Sequence, residues 1–406
     1  MKIFYISYWG VNEGLTVSTV FPNLRILSEY FQVKQIDFYT MERDRSQTVK
    51  DYFSPIAKVT HRPVYSKNLG FFLLTKIADW LRIRSTIISN AKTLKPDLVI
   101  CRGAMAGAFG TLLYKKFGIP FIVESFEPHA DYMLESGVWN KKSIRYKFQK
   151  KSESEIKKHA DYLITVSQNY FRHLQEVEGI LPERLKMVPC MVNAADFAFN
   201  QQNREVIRNK FGIEANVKVG IYLGKFGSIY YDEEAFQLFK AAERYFKGNF
   251  FLFLLSPTPV DEIIVKLRKV DFPLDKVWIG TAPHKEVPDY LSASDFAFST
   301  IKPADCRRFC SPVKDGEYWA NGLPILLPDM VGDDSDIIKK EGAGAIFDIN
   351  DPDNIQNSFE IIETLISSTI EGRSKIAEIA KKYRNFDLGK AAYEEIMGYY
   401  AFKKLY

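Results

Sequence analysis

Cysteine is scarce in this sequence. Four residues, Cys101, Cys190, Cys306 and Cys310, are spread over a chain of 406, too few and too scattered for a disulfide framework. Histidine is nearly as rare, at five, and none stands near Cys306 and Cys310 to complete a zinc set. No stretch reaches the roughly 18 to 20 uninterrupted apolar residues that a membrane-spanning helix needs. Low-complexity tracts and short-period repeats are missing as well. The opening Met1-Lys2-Ile3-Phe4-Tyr5-Ile6 carries only a brief apolar run before polar Ser7, which reads as a first buried strand and not as a secretory signal. These absences predict a reduced, cytoplasmic chain with no metal site and no cofactor.

Hydrophobic residues make up 46% and charged residues 26%, the balance of a globular protein. The net charge of +5 hides an asymmetry. Residues 1–200 carry 28 Lys and Arg against 19 Asp and Glu, whereas residues 201–406 carry 27 against 31. A basic first half can lean on an anionic membrane surface or meet a phosphorylated acceptor; solvated helix faces explain the same lysines equally well. Nothing in the pattern suggests a nucleic-acid partner.

Strands alternate with helical stretches from end to end, which predicts an α/β fold with parallel sheets. In the first half Ile3–Ser7, Val33–Phe38, Leu98–Cys101, Phe121–Glu124 and Tyr162–Val166 read as strands. A second series starts at Lys218–Gly224 and continues at Phe250–Leu255, Val277–Ile279, Phe296–Ser299, Ile325–Leu327 and Ala345–Phe347. The expected division is a Rossmann-like domain over 1–198, a second over 199–386, and a C-terminal helix over 387–406 that returns to the first. Two such halves place a cleft between the C-terminal ends of their sheets, where doubly wound folds bind ligands.

The most informative segment runs Phe309-Cys310-Ser311-Pro312-Val313-Lys314-Asp315-Gly316-Glu317-Tyr318-Trp319-Ala320-Asn321-Gly322-Leu323-Pro324. Ser311 suits an N-cap and Pro312 a first helical position. A helix beginning there aims free N–H groups and a positive dipole end outward, a site for phosphate. Lys314 falls in the first turn, where a cation is disfavoured unless an anion is also present. Glu317, further along, can reach vicinal hydroxyls such as those of a ribose. An ordinary capped helix is the plainer alternative, but the placement of Lys314 and the strand–loop–helix–turn–strand setting favour a phosphate site.

This segment resembles the donor-nucleotide motif of retaining GT-B glycosyltransferases, in particular glycosyltransferase family 4, in which many members read Ser-Pro-(Thr/Val)-Lys-x-Gly-Glu-(Tyr/Leu)-x-Ala-x-Gly-x-Pro. Other landmarks follow in the family's order. In Ile221-Tyr222-Leu223-Gly224-Lys225-Phe226-Gly227 a strand enters a glycine turn, and Lys225 takes the position of the cation that faces the donor pyrophosphate. Trp278-Ile279-Gly280-Thr281-Ala282-Pro283-His284 resembles the loop that holds the nucleotide base, with backbone groups near Thr281 reading the base edge and His284 beside them. In the first half, Tyr8-Trp9-Gly10-Val11-Asn12-Glu13-Gly14 resembles the glycine loop that passes the phosphates and the acceptor, which implies contacts from Asn12, Glu13 and Gly14. It lacks the Gly-x-Gly-x-x-Gly fingerprint, which disfavours NAD.

Phe121-Ile122-Val123-Glu124-Ser125-Phe126-Glu127-Pro128-His129 ends a strand in a polar turn. The family often has a histidine or arginine there that touches the donor sugar; taken alone, His129 would equally be a structural histidine. Glu127 and Asp131 are secondary acceptor candidates, and Arg102, at the end of Leu98–Cys101, can face a phosphate. Two positions depart from the family pattern. The second lysine that commonly follows Lys225 by five residues is Tyr230, so that Lys314, Arg307 or Arg308 would have to supply the charge. The first of the family's paired glutamates is Phe309.

The resemblance implies transfer of a sugar from a UDP- or GDP-linked donor to an acceptor hydroxyl with retention, catalysed by His129, Lys225, Lys314 and Glu317. Gly224, Ser311, Pro312 and Val313 would line the donor. The acceptor would be a glycan or lipid-linked sugar in cell-surface polysaccharide assembly. No Asp-x-Asp pair stands at a strand end, and Asp333-Asp334 reads as a loop, so no metal is expected. The alternatives are a non-catalytic nucleotide-sugar-binding subunit and a sugar-nucleotide epimerase of the same layout. The stretch Leu69–Ile88 mixes Phe71, Phe72, Leu73, Leu74, Trp80 and Leu81 with Lys76, Arg82 and Arg84; with the basic run Lys141–Lys151 it could rest on a membrane, or it could simply pack on the core.

Overall fold

The computed structural model describes residues 1–30, 32–43, 56–67, 70–125 and 127–403. Phe126, Leu69, the side chains of Phe72 and Leu73, and the end of the last helical stretch (Lys404 and Leu405) lie outside the described residues. Two compact units form, one of Met1–Met191 with Phe386–Tyr406 and one of Val192–Asn385.

In the first unit the strands are β1 (Lys2–Ser7), β2 (Gln35–Glu42), β3 (Val59–Tyr65), β4 (Leu98–Arg102), β5 (Phe121–Ser125), β6 (Tyr162–Thr165) and β7 (Leu185–Met187). They pair in parallel in the order β3-β2-β1-β4-β5-β6-β7. Helices cover such a sheet on both faces, so its central strands are nearly continuous apolar runs; every residue of β1 after Lys2 is buried. β3 and β7 were not anticipated. β3 is an edge strand whose residues, apart from Val64, are at least partly exposed and include Pro63, as edge strands tolerate. β7 has only three residues. The C-terminal helix Phe386–Lys403 places Tyr393, Ile396, Met397 and Tyr400 in this unit's core.

The second unit holds β8 (Lys218–Leu223), β9 (Phe250–Leu255), β10 (Val277–Gly280), β11 (Phe296–Phe298), β12 (Ile325–Pro328) and β13 (Gly344–Phe347), in the order β10-β9-β8-β11-β12-β13. All the pairings are parallel. Strand order reverses between β8 and β11, the switch point at which doubly wound sheets bind ligands.

Three local expectations shift. The division between units falls at Met191–Val192 and not at 198–199, because Val192 and Phe197 are buried in the second unit's core, and the polar Asn200–Asn203 caps and opens the helix Gln201–Lys210. Asp333-Asp334 is not a loop: Asp333 precedes the helix Asp334–Glu341, and Asp334 is completely buried. Ser311 is not the N-cap of its helix. Pro312 holds extended backbone (φ −63°, ψ 119°), so the helix runs Val313–Ala320.

Candidate functional site

In the second unit the site grows from the end of β8. Leu223 donates its backbone N–H to the hydroxyl of Tyr318 at 3.0 Å, which ties the strand end to the helix Val313–Ala320. Gly224 follows at φ +152°, and a Cβ there would lie 2.8 Å from the Lys314 Nζ. Glycine is therefore required if the lysine is to lie against the backbone. Lys225 is exposed, and its carbonyl accepts the Tyr222 hydroxyl at 2.7 Å, so the turn is fixed while the ammonium is left in solvent.

Lys314 reaches back from the helix to the same turn. Burial pushes its pKa below the ordinary lysine range; Glu317 and Asp315 oppose that shift, and Lys225 adds to it. Two ammonium groups and a helix N-terminus with unsatisfied N–H groups thus meet at one strand end, a combination that lowers its energy by taking up an anion. Glu317, nearly buried, pairs with His284 at 3.5 Å. The hydrogen bond that His284 donates to Glu317 raises its pKa against the opposing effect of burial. Thr281 lies in the exposed loop just past β10. Trp278, in β10, stacks on Tyr290 with ring centroids 5.0 Å apart.

Sequence reasoning missed the buried layer under this helix. Arg384 donates to the Ser311 hydroxyl and to the Asp334 carboxylate. Ser311 is therefore occupied in fixing the loop that leads to Pro312 and Val313. Burial and the neighbouring Asp334 charge raise the Asp315 pKa well above the usual carboxylate range, and burial raises Asp334 to about 6 against the opposing charge of Arg384.

The first unit's candidates fall into three groups. In the loop after β1, Gly10 donates to Glu13 at 3.3 Å and Val11 donates to Glu42 at 3.0 Å. Asn12 keeps a buried side-chain oxygen without a hydrogen-bond partner among the described residues, and Gly14 is exposed beside it. His129 opens the short helix His129–Glu135, with its Nδ1 3.2 Å from Glu127 Oε1 and its ring edge-on to Trp139 at 5.7 Å. Burial lowers the His129 pKa, but Glu127 more than compensates and the net direction is upward. Arg102 turns inward. It pairs with Glu124 at 3.2 Å and donates to Thr19. The buried Glu124 also accepts from Tyr5, Asn23 and Tyr393. Asp131 is likewise engaged, by Tyr146 at 2.8 Å and Lys150 at 2.9 Å.

Residues 29–196 match the family model of Glycosyltransferase Family 4. No curated protein matches the chain. Among solved structures, sucrose-phosphate synthase from Thermosynechococcus elongatus superposes with a TM-score of 0.74 at 15% identity, over 100% of both chains. Anabaena HepE, solved in complex with UDP, gives 0.71 at 13% identity over 98% of this chain and 100% of its own. WaaG, a glycosyltransferase involved in lipopolysaccharide biosynthesis, gives 0.64 at 13% identity over 94% and 95%. The fold is GT-B, as the sequence motif implied.

Proposed function

We propose, from the premise of a GT-B chain whose first unit carries the family 4 signature, that this protein moves a sugar from a nucleoside diphosphate sugar to an acceptor hydroxyl. The observation that carries this reading is the meeting of Gly224, Lys225, Lys314 and the N-terminus of Val313–Ala320 at the end of β8. In this reading the two lysines and the backbone N–H groups that open the helix at Val313 offset the charge of the departing diphosphate, an electrostatic stabilisation of the transition state; Pro312 has no N–H and shapes the approach to the helix. Glu317 takes the ribose hydroxyls, His284 and the backbone near Thr281 border the base, and Asn12, Glu13, Gly14 and His129 serve the sugar and acceptor side. The likeness to a UDP-bound protein makes UDP-sugars the first donors to try.

The reaction is proposed to retain anomeric configuration and to need no metal. The bond from the sugar's anomeric carbon to the diphosphate oxygen breaks, and the acceptor oxygen bonds to the same face. The acceptor's proton passes to the leaving diphosphate, so the chain's task is positioning and charge stabilisation.

A lipid-linked or cell-surface glycan acceptor, met at a membrane surface, is supported by two exposed apolar rows. Phe71, just before the helix Phe72–Leu94, and Leu74, Ile77 and Leu81 along it are exposed, as are Ile144 and Phe148 along Ile144–His159. Among the described residues no helix is long and apolar enough to cross a membrane.

The test is incubation of the full chain with UDP- and GDP-sugars and glycan acceptors in the presence of chelator, with the product's anomeric configuration read by NMR. Transfer with retention is expected. Inversion, or transfer only with added metal, would contradict the mechanism; donor binding without transfer would make the chain a non-catalytic subunit.

A further inference from the structure

Position 230 carries an aromatic ring where the family pattern has a cation, and the surroundings of that ring are specific. The Lys314 Nζ stands 5.6 Å from the centroid of the Tyr230 ring, within the reach at which a ring's negative face attracts an ammonium. The same Nζ lies close against Gly224. The ring is set in place by its backbone: Tyr230 donates to the Gly227 carbonyl at 3.1 Å, Tyr231 to Thr300 at 2.7 Å, and Lys302 to Ile229 at 2.9 Å. Tyr230 and Ile301 thereby form an antiparallel bridge. Burial pushes the Tyr230 phenol up to about 12, so the ring is neutral and brings no charge of its own.

We infer that Tyr230 is a positioning residue, whose ring holds the Lys314 ammonium at the end of β8 so that Lys314 supplies the second cation facing a diphosphate. The lost lysine is replaced by a cation from another element, and the aromatic side chain at the vacated position keeps that cation in place. The inference rests on the donor reading of this loop and adds the means by which its charge is assembled. The charged groups near Lys314 are Glu317 and Asp315 on its own helix and Lys225 from the turn after β8. The first two attract the ammonium along the helix, and Lys225 repels it. The ring is therefore the neutral contact that favours the strand-end position.

The experiment is calorimetric titration of UDP and GDP, without metal, into the wild type, Tyr230→Phe, Tyr230→Leu, Lys314→Met and the double variant Tyr230→Leu/Lys314→Met. Tyr230→Phe keeps the ring and is expected to bind as the wild type does. Tyr230→Leu should weaken binding about 2- to 30-fold, the range of a cation–π contact, and should add no loss in the Lys314→Met background. An equal loss in that background, or none in either, overturns the inference while leaving the donor reading intact. If the wild type binds no diphosphate, the donor reading fails, and the placement is judged by NMR titration of the Lys314 side chain. A lower Lys314 pKa in Tyr230→Leu than in Tyr230→Phe supports the ring's role, and equal values refute it.

Discussion

Replacement of Lys225 by alanine is expected to slow sugar transfer by about two to three decades, the usual effect of deleting one group that stabilises developing negative charge. The melting temperature should stay within about 2 °C, because exposed substitutions seldom change stability by more than about 0.5 kcal/mol. The side chain is exposed, and the turn beneath it is fixed by the Tyr222 hydroxyl, which binds the backbone of residue 225 and not its ammonium. Steady-state rates with a saturating donor, together with a thermal melt, check both halves. A loss below about threefold would remove Lys225 from the machinery, and a large fall in melting temperature would make any rate loss uninformative.

The largest stability effect is expected from Asp295→Ala. Asp295, buried just before β11, pairs with Arg204 at 2.6 Å and with Arg208 at 3.5 Å, and accepts the N–H of Val219 at 2.8 Å. Arg373 is buried nearby. Burial pushes its pKa down to about 9, and Asp295 is the first charge opposing that shift. One carboxylate thus compensates several buried guanidinium groups. Its removal leaves them without a counter-charge, and breaking a buried pair in this way costs about 3 to 5 kcal/mol. For a unit of this size the melting temperature should drop by roughly 6 to 20 °C, as measured by calorimetry on the full chain. A fall of under about 2 °C would mean that hydration or the carbonyls of Ser292, Ala293 and Ser294, which Arg204 also reaches, carry the charge instead.

The second sheet was readable almost strand for strand, because its inner strands are covered on both faces and nearly all apolar, while the half-exposed edge strand β10 is still the apolar run Val277-Trp278-Ile279 closed by Gly280. β3 escaped because an edge strand does not need that composition: in Val59–Tyr65 only Val64 is buried. The boundary at Met191–Val192 escaped for a related reason. The segment that crosses between units is itself apolar, and which core receives Val192 and Phe197 is a matter of tertiary packing.

At the candidate site, the first-turn lysine of Val313–Ala320 and the glycine turn after β8 were legible because each has a local physical meaning; the cap was not, since Ser311 does not cap the helix. Partnerships were not. Arg102 has the sequence setting of a phosphate ligand, yet it faces Glu124, a residue 22 positions away. Ser311 looked like a helix cap and instead meets Arg384, 73 positions on. Pairing between distant charges leaves no periodic trace, so sequence identifies the charged groups and only the fold shows what neutralises each of them.

The central claim is that the end of β8 and the N-terminus of Val313–Ala320 bind a nucleoside diphosphate. The most direct measurement is a thermal-shift panel of UDP, GDP, ADP and CMP in chelator, on the wild type, Lys225→Ala and Glu317→Ala. A ligand at about 100 times its dissociation constant stabilises by about 2.7 kcal/mol, or roughly 5 to 10 °C for a unit of about 200 residues. The account predicts a shift of that size with at least one diphosphate in the wild type, lost in both variants. A folded wild type that responds to none of the four, or a shift that survives both substitutions, would contradict it.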